Sequence, residues 1–396
     1  MNSGVLQSKA RAAAKPSSAL SASLIATHQG FLSLQDEWNV LAAESEGATV
    51  FQRHEWNSAW WETQSERSRL FVIVVRQGSE LAAIAPLCIV ERQQALLRFR
   101  HLQFLGAPAA DYADFLVRGD RQPCIGAMLD EVFHHQHLWD VFELNHLRTD
   151  SANALALREE LGGRSAVCSE ARRVVSPYLP LPPDPEMVFS RLPKSARYDL
   201  RKGLQKLSER GVVSYEVLRD RRAAMEVLPA FLETLREREL DAGRAATRAA
   251  RTWLRRYFTQ LLNGPARSLV HFSRLSVNDR AVAYHFGFQY GNRLYWYKPT
   301  FSPEYSECSP GKLLIQFAIE SAVREGVTEL DFLLGDEPYK LQWTESVREV
   351  TDLMVFSSNW RSYAARRWYL GAKPALKASR RFAAVWQWVR GIGERT

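Results

Sequence analysis

Cysteine is scarce in this chain, long apolar runs are missing, and acids are nearly absent from one end. The four cysteines, Cys88, Cys124, Cys168 and Cys308, are scattered without a CxxC pair. That argues against a disulfide framework and a structural zinc site, and favours a reducing compartment. No apolar run approaches the ~20 residues that cross a bilayer. The opening MNSGVLQSKARAAAKPSSALSASLIATHQG is basic and rich in Ala and Ser, without a continuous apolar signal core. Residues 1–30 therefore read as a flexible leader of a cytoplasmic protein. HHQH (134–137) has no carboxylate or further histidine spaced to complete a metal site, so no metal is expected.

The shortage of acids locates the charge. From Ser357 to Thr396 there are nine bases and one acid, Glu394, a net +8 that equals the charge of the whole chain. The remaining body is neutral, which argues against a folded surface that tracks DNA. What is present, 46% hydrophobic and 24% charged residues over 396 positions, is globular and sufficient for two cores.

A repeat organises the chain. RLFVIVVRQ (69–77) and ELAAIAPLCIVERQ (80–93) read as a hairpin, followed by the strand LLRFRHLQFLG (96–106), a helix at 125–138 and the strand WDVFELNHL (139–147). RSLVHFSRLS (267–276) and RAVAYHFGFQYG (280–291) form a second hairpin across Asn278-Asp279. NRLYWYKPT (292–300), an amphipathic helix over 309–326 and VTELDFLLG (327–335) complete the same order. Between the copies, a Pro-rich stretch from SPYLPLPPDP reads as a linker, followed by helices. The expected layout is a leader at 1–30, a first lobe at 31–175, and a linker with helical insertion at 176–265. A second lobe at 266–356 and a basic, aromatic tail at 357–396 follow.

Pro310 and Gly311 open the helix of the second copy. Unpaired N–H groups without side-chain cover there suit a phosphate, with Lys312 adding charge, although an ordinary capped helix has the same signature. On the preceding hairpin, alternation sets His285 and Gln289 opposite Tyr284 and Phe286, which suits a cleft wall or a core histidine equally. KSARYDLRKGLQK places Lys194, Arg197 and Arg201 on one helical face, suited to a diphosphate or simply to solvent. Trp56, Trp60 and Trp61 read as core at helical spacing.

The stretches FQRHEWNSAWWE, LLRFRHLQFLGAPAADYADFL, LPKSARYDLRKGLQKL, YKPTFSPEYSECSPGKLL and LDFLLGDEPYKLQW resemble the bacterial GNAT acetyltransferases of the CelD-like polysaccharide-biosynthesis group, related to Fem-type peptidyltransferases. The resemblance implies an α+β fold of tandem GNAT-like lobes, each a mixed, mostly antiparallel sheet flanked by helices. It implies acetyl-CoA as donor, entering where strands splay beside Tyr297 and Lys298, with its pyrophosphate on Ser309, Pro310, Gly311 and Lys312. The chain offers one glycine there, where the family pattern has two. Asp336, Tyr339 and His285 follow as catalytic candidates: a base or acceptor anchor, a proton donor to the thiolate, and a titratable cleft group. Lys340 and Gln289 follow as substrate contacts. Asp331 and Trp343 read as structural. In the first lobe Asp111, Tyr112 and Asp114 stand where acids would repel phosphate, so they are assigned, with Arg197 and Arg201, to the acceptor.

The implied activity is N- or O-acetylation of a glycan, sugar nucleotide or lipid-linked sugar of an exported polysaccharide. Fem-like aminoacyl transfer to a peptidoglycan precursor and a non-catalytic cyclic-dinucleotide effector are the alternatives. The tail, in which bases and aromatics alternate, suits the inner-membrane surface, a cyclic dinucleotide, or a helix packed on the second lobe.

Overall fold

The computed structural model describes residues 19–64, 68–94, 97–243 and 246–374. The first half contains β1 (Leu20–Ile25), β2 (Ser68–Leu70), β3 (Val72–Gln77), β4 (Glu80–Ala85), β5 (Leu87–Gln94), β6 (Leu97–Phe104), β7 (Leu116–Val117) and β8 (Val141–Arg148). After β9 (Val167–Pro180) come β10 (Val213–Val217), β11 (Val270–Val277), β12 (Arg280–Tyr290), β13 (Arg293–Phe301), β14 (Glu329–Asp331) and β15 (Val347–Phe356). β1, β3, β4 and β7 form a small sheet. The others join one large sheet in the order β10-β11-β12-β13-β14-β9-β15-β8-β6-β5-β2.

The expected repeat is present. In each half two hairpin-linked strands lead to a third, and a helix then returns the chain to a strand parallel to that third one: β6 beside β8, and β13 beside β14. The helices are Arg121–His134 and Pro310–Arg324, the latter called the donor helix below. Local chemistry accounts for the pieces. Asn278 and Asp279 both adopt positive φ, 48° and 64°, which matches the twist of a two-residue hairpin. The donor helix buries Leu313, Leu314, Ala318 and Ala322 and ends at Gly326, whose φ of 76° permits the reversal into β14. Pro86 lacks an N–H and falls between β4 and β5, so the single strand expected over 80–93 divides there between the two sheets.

The domain layout needs three corrections. Residues 20–25 belong to no leader: β1 pairs antiparallel with β3 along its whole length. Residues 1–18 lie outside the described part. The first half of the stretch expected to be a linker, residues 176–180, is the end of β9, which pairs with β15 and, through Tyr178–Pro180, with β14. Its prolines do not break it, because their carbonyls still accept; Pro177 takes the Phe332 N–H at 2.9 Å. The helical insertion is part of the second lobe, since β10 extends its sheet beside β11 and the helix Lys194–Ser208 packs on the donor helix. β15 then crosses back to lie between β9 and β8, fusing both halves into one sheet.

Three cores result. One fills the first lobe and one lies beneath the donor helix. The third spans both halves, bringing Phe51 onto Phe288, Tyr295 and Tyr297, and Trp56 onto Phe288. Trp56 and Trp60 are thus core residues and Trp61 is half-buried. Among the described residues no helix is long and apolar enough to cross a membrane.

Candidate active site

A cleft of about 880 Å³ opens where β13 and β14 part. The two strands pair only over Arg293–Tyr295 and Glu329–Asp331. Beyond that point β13 stays with β12, while Phe332 and Gly335 donate their N–H groups to β9, at Pro177 and Val175. Leu333 makes the bend with a φ of 61°, its N–H held by the Asp331 carboxylate at 2.8 Å. On the other wall Trp296 and Tyr297 together lie opposite Gly287, a bulge that re-aims β13 at the parting.

The walls carry Tyr297, Lys298, Phe332, Leu333, Tyr339 and, at the base of the donor helix, Ser309, Gly311 and Lys312. Ser309 precedes the helix in the left-handed region, φ 51° and ψ 47°, and makes no side-chain cap. Gly311 has no side chain to cover the helix start; a Cβ there would press on the Phe301 ring at 3.2 Å. Pro310 is buried and supplies the first-turn φ. Lys312 bonds Asp199 of the helix Lys194–Ser208 at 2.9 Å, which orients its charge and partly neutralises it. Pro310 has no N–H, and Lys312 and Leu313 donate to the Ser309 carbonyl, so the Gly311 N–H beside the Lys312 ammonium is what the helix start offers the pyrophosphate of a CoA thioester. The apolar walls fit its pantetheine arm.

Asp111 reaches this cleft from the first lobe. Burial pushes its carboxyl pKa upward, against the opposing pull of Lys298, His146 and Lys340. Around it, the Tyr297 hydroxyl donates to the Ala109 carbonyl at 2.9 Å. Tyr257 is fully buried, and its hydroxyl has no hydrogen-bond partner among the described residues. Burial holds both phenols well above their ordinary pKa, as does the nearby Asp111. A second cavity, about 940 Å³, shares Tyr297 and Lys298 with the cleft. It lies between Pro108-Ala109 and the helices Arg221–Asp241 and Arg248–Asn263, with Arg248, Arg251 and Arg255 on its wall.

The remaining expected site residues are distributed differently. His285 is no cleft group. It is fully buried and stacks on Trp296 with ring centroids 3.9 Å apart, in space that Gly287 leaves empty. Burial first, and then His271, depress its pKa well below the usual imidazole value. Asp336 is exposed and is not among the residues lining the cleft, because Gly335, φ 113°, turns the loop outward. Lys340 does line the cleft, but its buried ammonium donates to the Leu334 carbonyl at 2.6 Å and meets Glu337 at 2.8 Å, so it also staples the loop. Tyr112 is buried too, donating to the Asp331 carboxylate at 2.9 Å and sharing a hydrogen bond with Ser176 at 2.5 Å. Asp114 accepts from Ser151, Asn153 and the Phe115 N–H, organising the start of the helix Ala152–Gly162. Gln289 is half-buried on β12 and is not among the cleft residues. Arg197 and Arg201 face solvent. Asp331 and Trp343 are structural, as expected. Sequence reasoning missed Arg238, whose guanidinium lies 3.6 Å over Phe301 in the cleft wall. Its position three residues after the inward Leu235 was the available signal.

Residues 194–341 match the acetyltransferase (GNAT) domain family. The similarity covers that stretch, less than half of the chain. The acyltransferase class of the enzyme follows from that domain and its cleft. No curated protein matches the sequence. Among solved structures, that of FemX matches over 84% of this chain and 98% of its own, with a TM-score of 0.62 at 11% identity. A conserved protein of unknown function from Bacteroides thetaiotaomicron matches over 82% of this chain and 96% of its own, at 0.51 and 13%. L-PGS from Bacillus licheniformis does so over 82% and 92%, at 0.50 and 11%. At such identities the likeness is one of fold, and it extends over both lobes.

Proposed function

We propose that this GNAT enzyme transfers an acetyl group from acetyl-CoA to an amine or hydroxyl on a sugar unit of an exported polysaccharide or its precursor. The observation that carries the donor half is the splayed β13–β14 cleft ending on the uncapped helix start at Gly311. Asp111 is the general base in this reading. Its carboxylate takes the proton of the acceptor nucleophile as the new C–N or C–O bond forms. Tyr339 lines the same cleft and is kept protonated by burial and by Glu337, so its hydroxyl serves as proton donor to the departing thiolate. The acceptor occupies the second cavity, which meets the cleft at Tyr297 and Lys298.

Calorimetry with acetyl-CoA, followed by thiol release with a panel of amino sugars and sugar nucleotides, tests the reading. Micromolar donor binding with acceptor-dependent thiol release is expected; absence of donor binding refutes it. Asp111→Asn should lower kcat by about 10²–10⁴-fold with donor affinity retained. Because the Asp111 pKa is raised, the acid limb of the wild-type pH profile should lie above the ordinary carboxylate range, with activity rising as the proton leaves. The variant should lose that limb.

A second reading, aminoacyl transfer of the Fem kind to a peptidoglycan precursor, draws on the 98% coverage of FemX. Binding of aminoacyl-tRNA in place of acetyl-CoA would favour it. The neutral charge of the body outside the tail weighs against a tRNA partner.

A further inference from the structure

The described start of the basic tail is a helix, Trp360–Arg366, continued by a wider turn to Ala372. It packs on β6, β8 and β15, at the first-lobe end of the large sheet. Ser362, Ala365 and Tyr369 are buried, the last two against Phe99, Val141 and Phe356. Its attachment is firm. Asn359 caps the helix and donates to the Gln136 carbonyl at 2.9 Å, and Arg361 joins Arg100 on the fully buried carboxylate of Asp140. Tyr369 adds a hydrogen bond to His101 at 2.9 Å.

That anchoring fixes what the opposite face presents. Trp360 is 75% exposed, Tyr363 55% and Leu370 42%. Their spacing of three and seven residues sets them in one outward row with Arg367. Arg366 flanks the row, its guanidinium 5.2 Å from the Tyr363 ring centre, and no acid interrupts residues 357–393. A tryptophan held three-quarters in water by a well-anchored helix is unexplained by packing. We propose that this face docks on an anionic lipid surface, the aromatic and leucine side chains entering the headgroup layer and the bases meeting lipid phosphates. Trp and Tyr are the side chains that favour that layer, and cations beside them supply the complementary charge. The remaining sequence, residues 375–396, adds five bases, three aromatics and the single acid Glu394, so the same charge sign continues.

The test is flotation of the full chain with vesicles of phosphatidylcholine containing about one-third phosphatidylglycerol, against phosphatidylcholine alone. Binding at least about tenfold stronger to the anionic vesicles, and weakened by salt, is expected. The variant Trp360→Ala/Tyr363→Ala/Leu370→Ala changes exposed positions only, so it should fold and should lose at least about tenfold of that binding. Undiminished binding by this variant would assign the attraction to residues 375–396 and overturn the proposal. No vesicle binding at all, or binding of a soluble cyclic dinucleotide that Arg366→Ala abolishes while vesicles stay unbound, would overturn it equally. Donor binding by calorimetry is unaffected in every arm, so failure here leaves the catalytic reading standing.

Discussion

Lys340 shows how a reactive side chain becomes a structural one. Its ammonium is out of water but meets three carbonyl oxygens of residues 333–335 and the Glu337 carboxylate, so burial costs little. Removing the charge leaves those carbonyls short of a donor. Lys340→Met should therefore lower stability by about 1–3 kcal/mol, measured by urea unfolding, and loosen the cleft wall at Leu333–Leu334. Asp336, the residue after the staple's last carbonyl, faces water. Asp336→Asn should leave turnover within about twofold of wild type, since surface changes of this kind are close to neutral. Both residues belong to one short motif, and the sequence offered no means of ranking them. Their difference lies in the turn at Gly335, after which Asp336 faces outward while Lys340 folds back onto the carbonyls of residues 333–335.

Among the elements, the close packing between the helix Lys194–Ser208 and the turn before the donor helix is decisive. Gly203 lies against the Cys308 carbonyl, where an added Cβ would stand 2.5 Å from the oxygen. The same helix carries Asp199 to Lys312 and Lys206 to the Glu307 carbonyl. It therefore sets the position of Ser309 and Gly311. Gly203→Ala should push the two elements apart and cost about 1–3 kcal/mol, the range for overpacking. Calorimetry should also show weaker donor binding than in the wild type. The basic face on this helix was legible in sequence, but its arginines point to solvent. What the helix contributes to the site comes from Gly203 and Asp199 on another face.

At the scale of the whole molecule, β9 and β15 make two lobes into one body. Arg348 on β15 bridges Glu329 and Asp331 of β14 at 2.6 and 3.1 Å, and Asp331 also takes the Tyr112 hydroxyl from the first lobe. Asp331 and Tyr112 are buried and Arg348 and Glu329 are partly so, and a lost Arg348 leaves the buried Asp331 charge uncompensated. Arg348→Ala should destabilise the protein by about 3–5 kcal/mol. Because the network ties both lobes, thermal unfolding should keep a single transition that moves as a unit; two separated transitions would contradict the fused sheet.

Much of the architecture was written in local pattern. The hairpins around Asn278-Asp279, the donor helix with Pro310 at its start, and the order of strands within each copy follow from periodicity and turn chemistry, which act over a few residues. Gly311 and Lys312 were legible for the same reason, at a helix start, whereas Tyr297 and Lys298, in the middle of β13, followed from the family resemblance. Non-local contacts decided the rest. The paired exposure of one strand face cannot tell a cleft from a covering helix, so His285 looked titratable while the fold buries it beside Trp296. Prolines at 177 and 180 looked like a linker because a missing N–H matters only on the side where a partner strand asks for one. Asp111 was assigned to the acceptor from its residue type, and only the joining of the lobes sets it in the donor cleft beside Lys298. Sequence alone determined which segments form strands and helices, through energies local to each. Tertiary structure decided which polar groups lose their water, and so which act on substrate and which hold the fold.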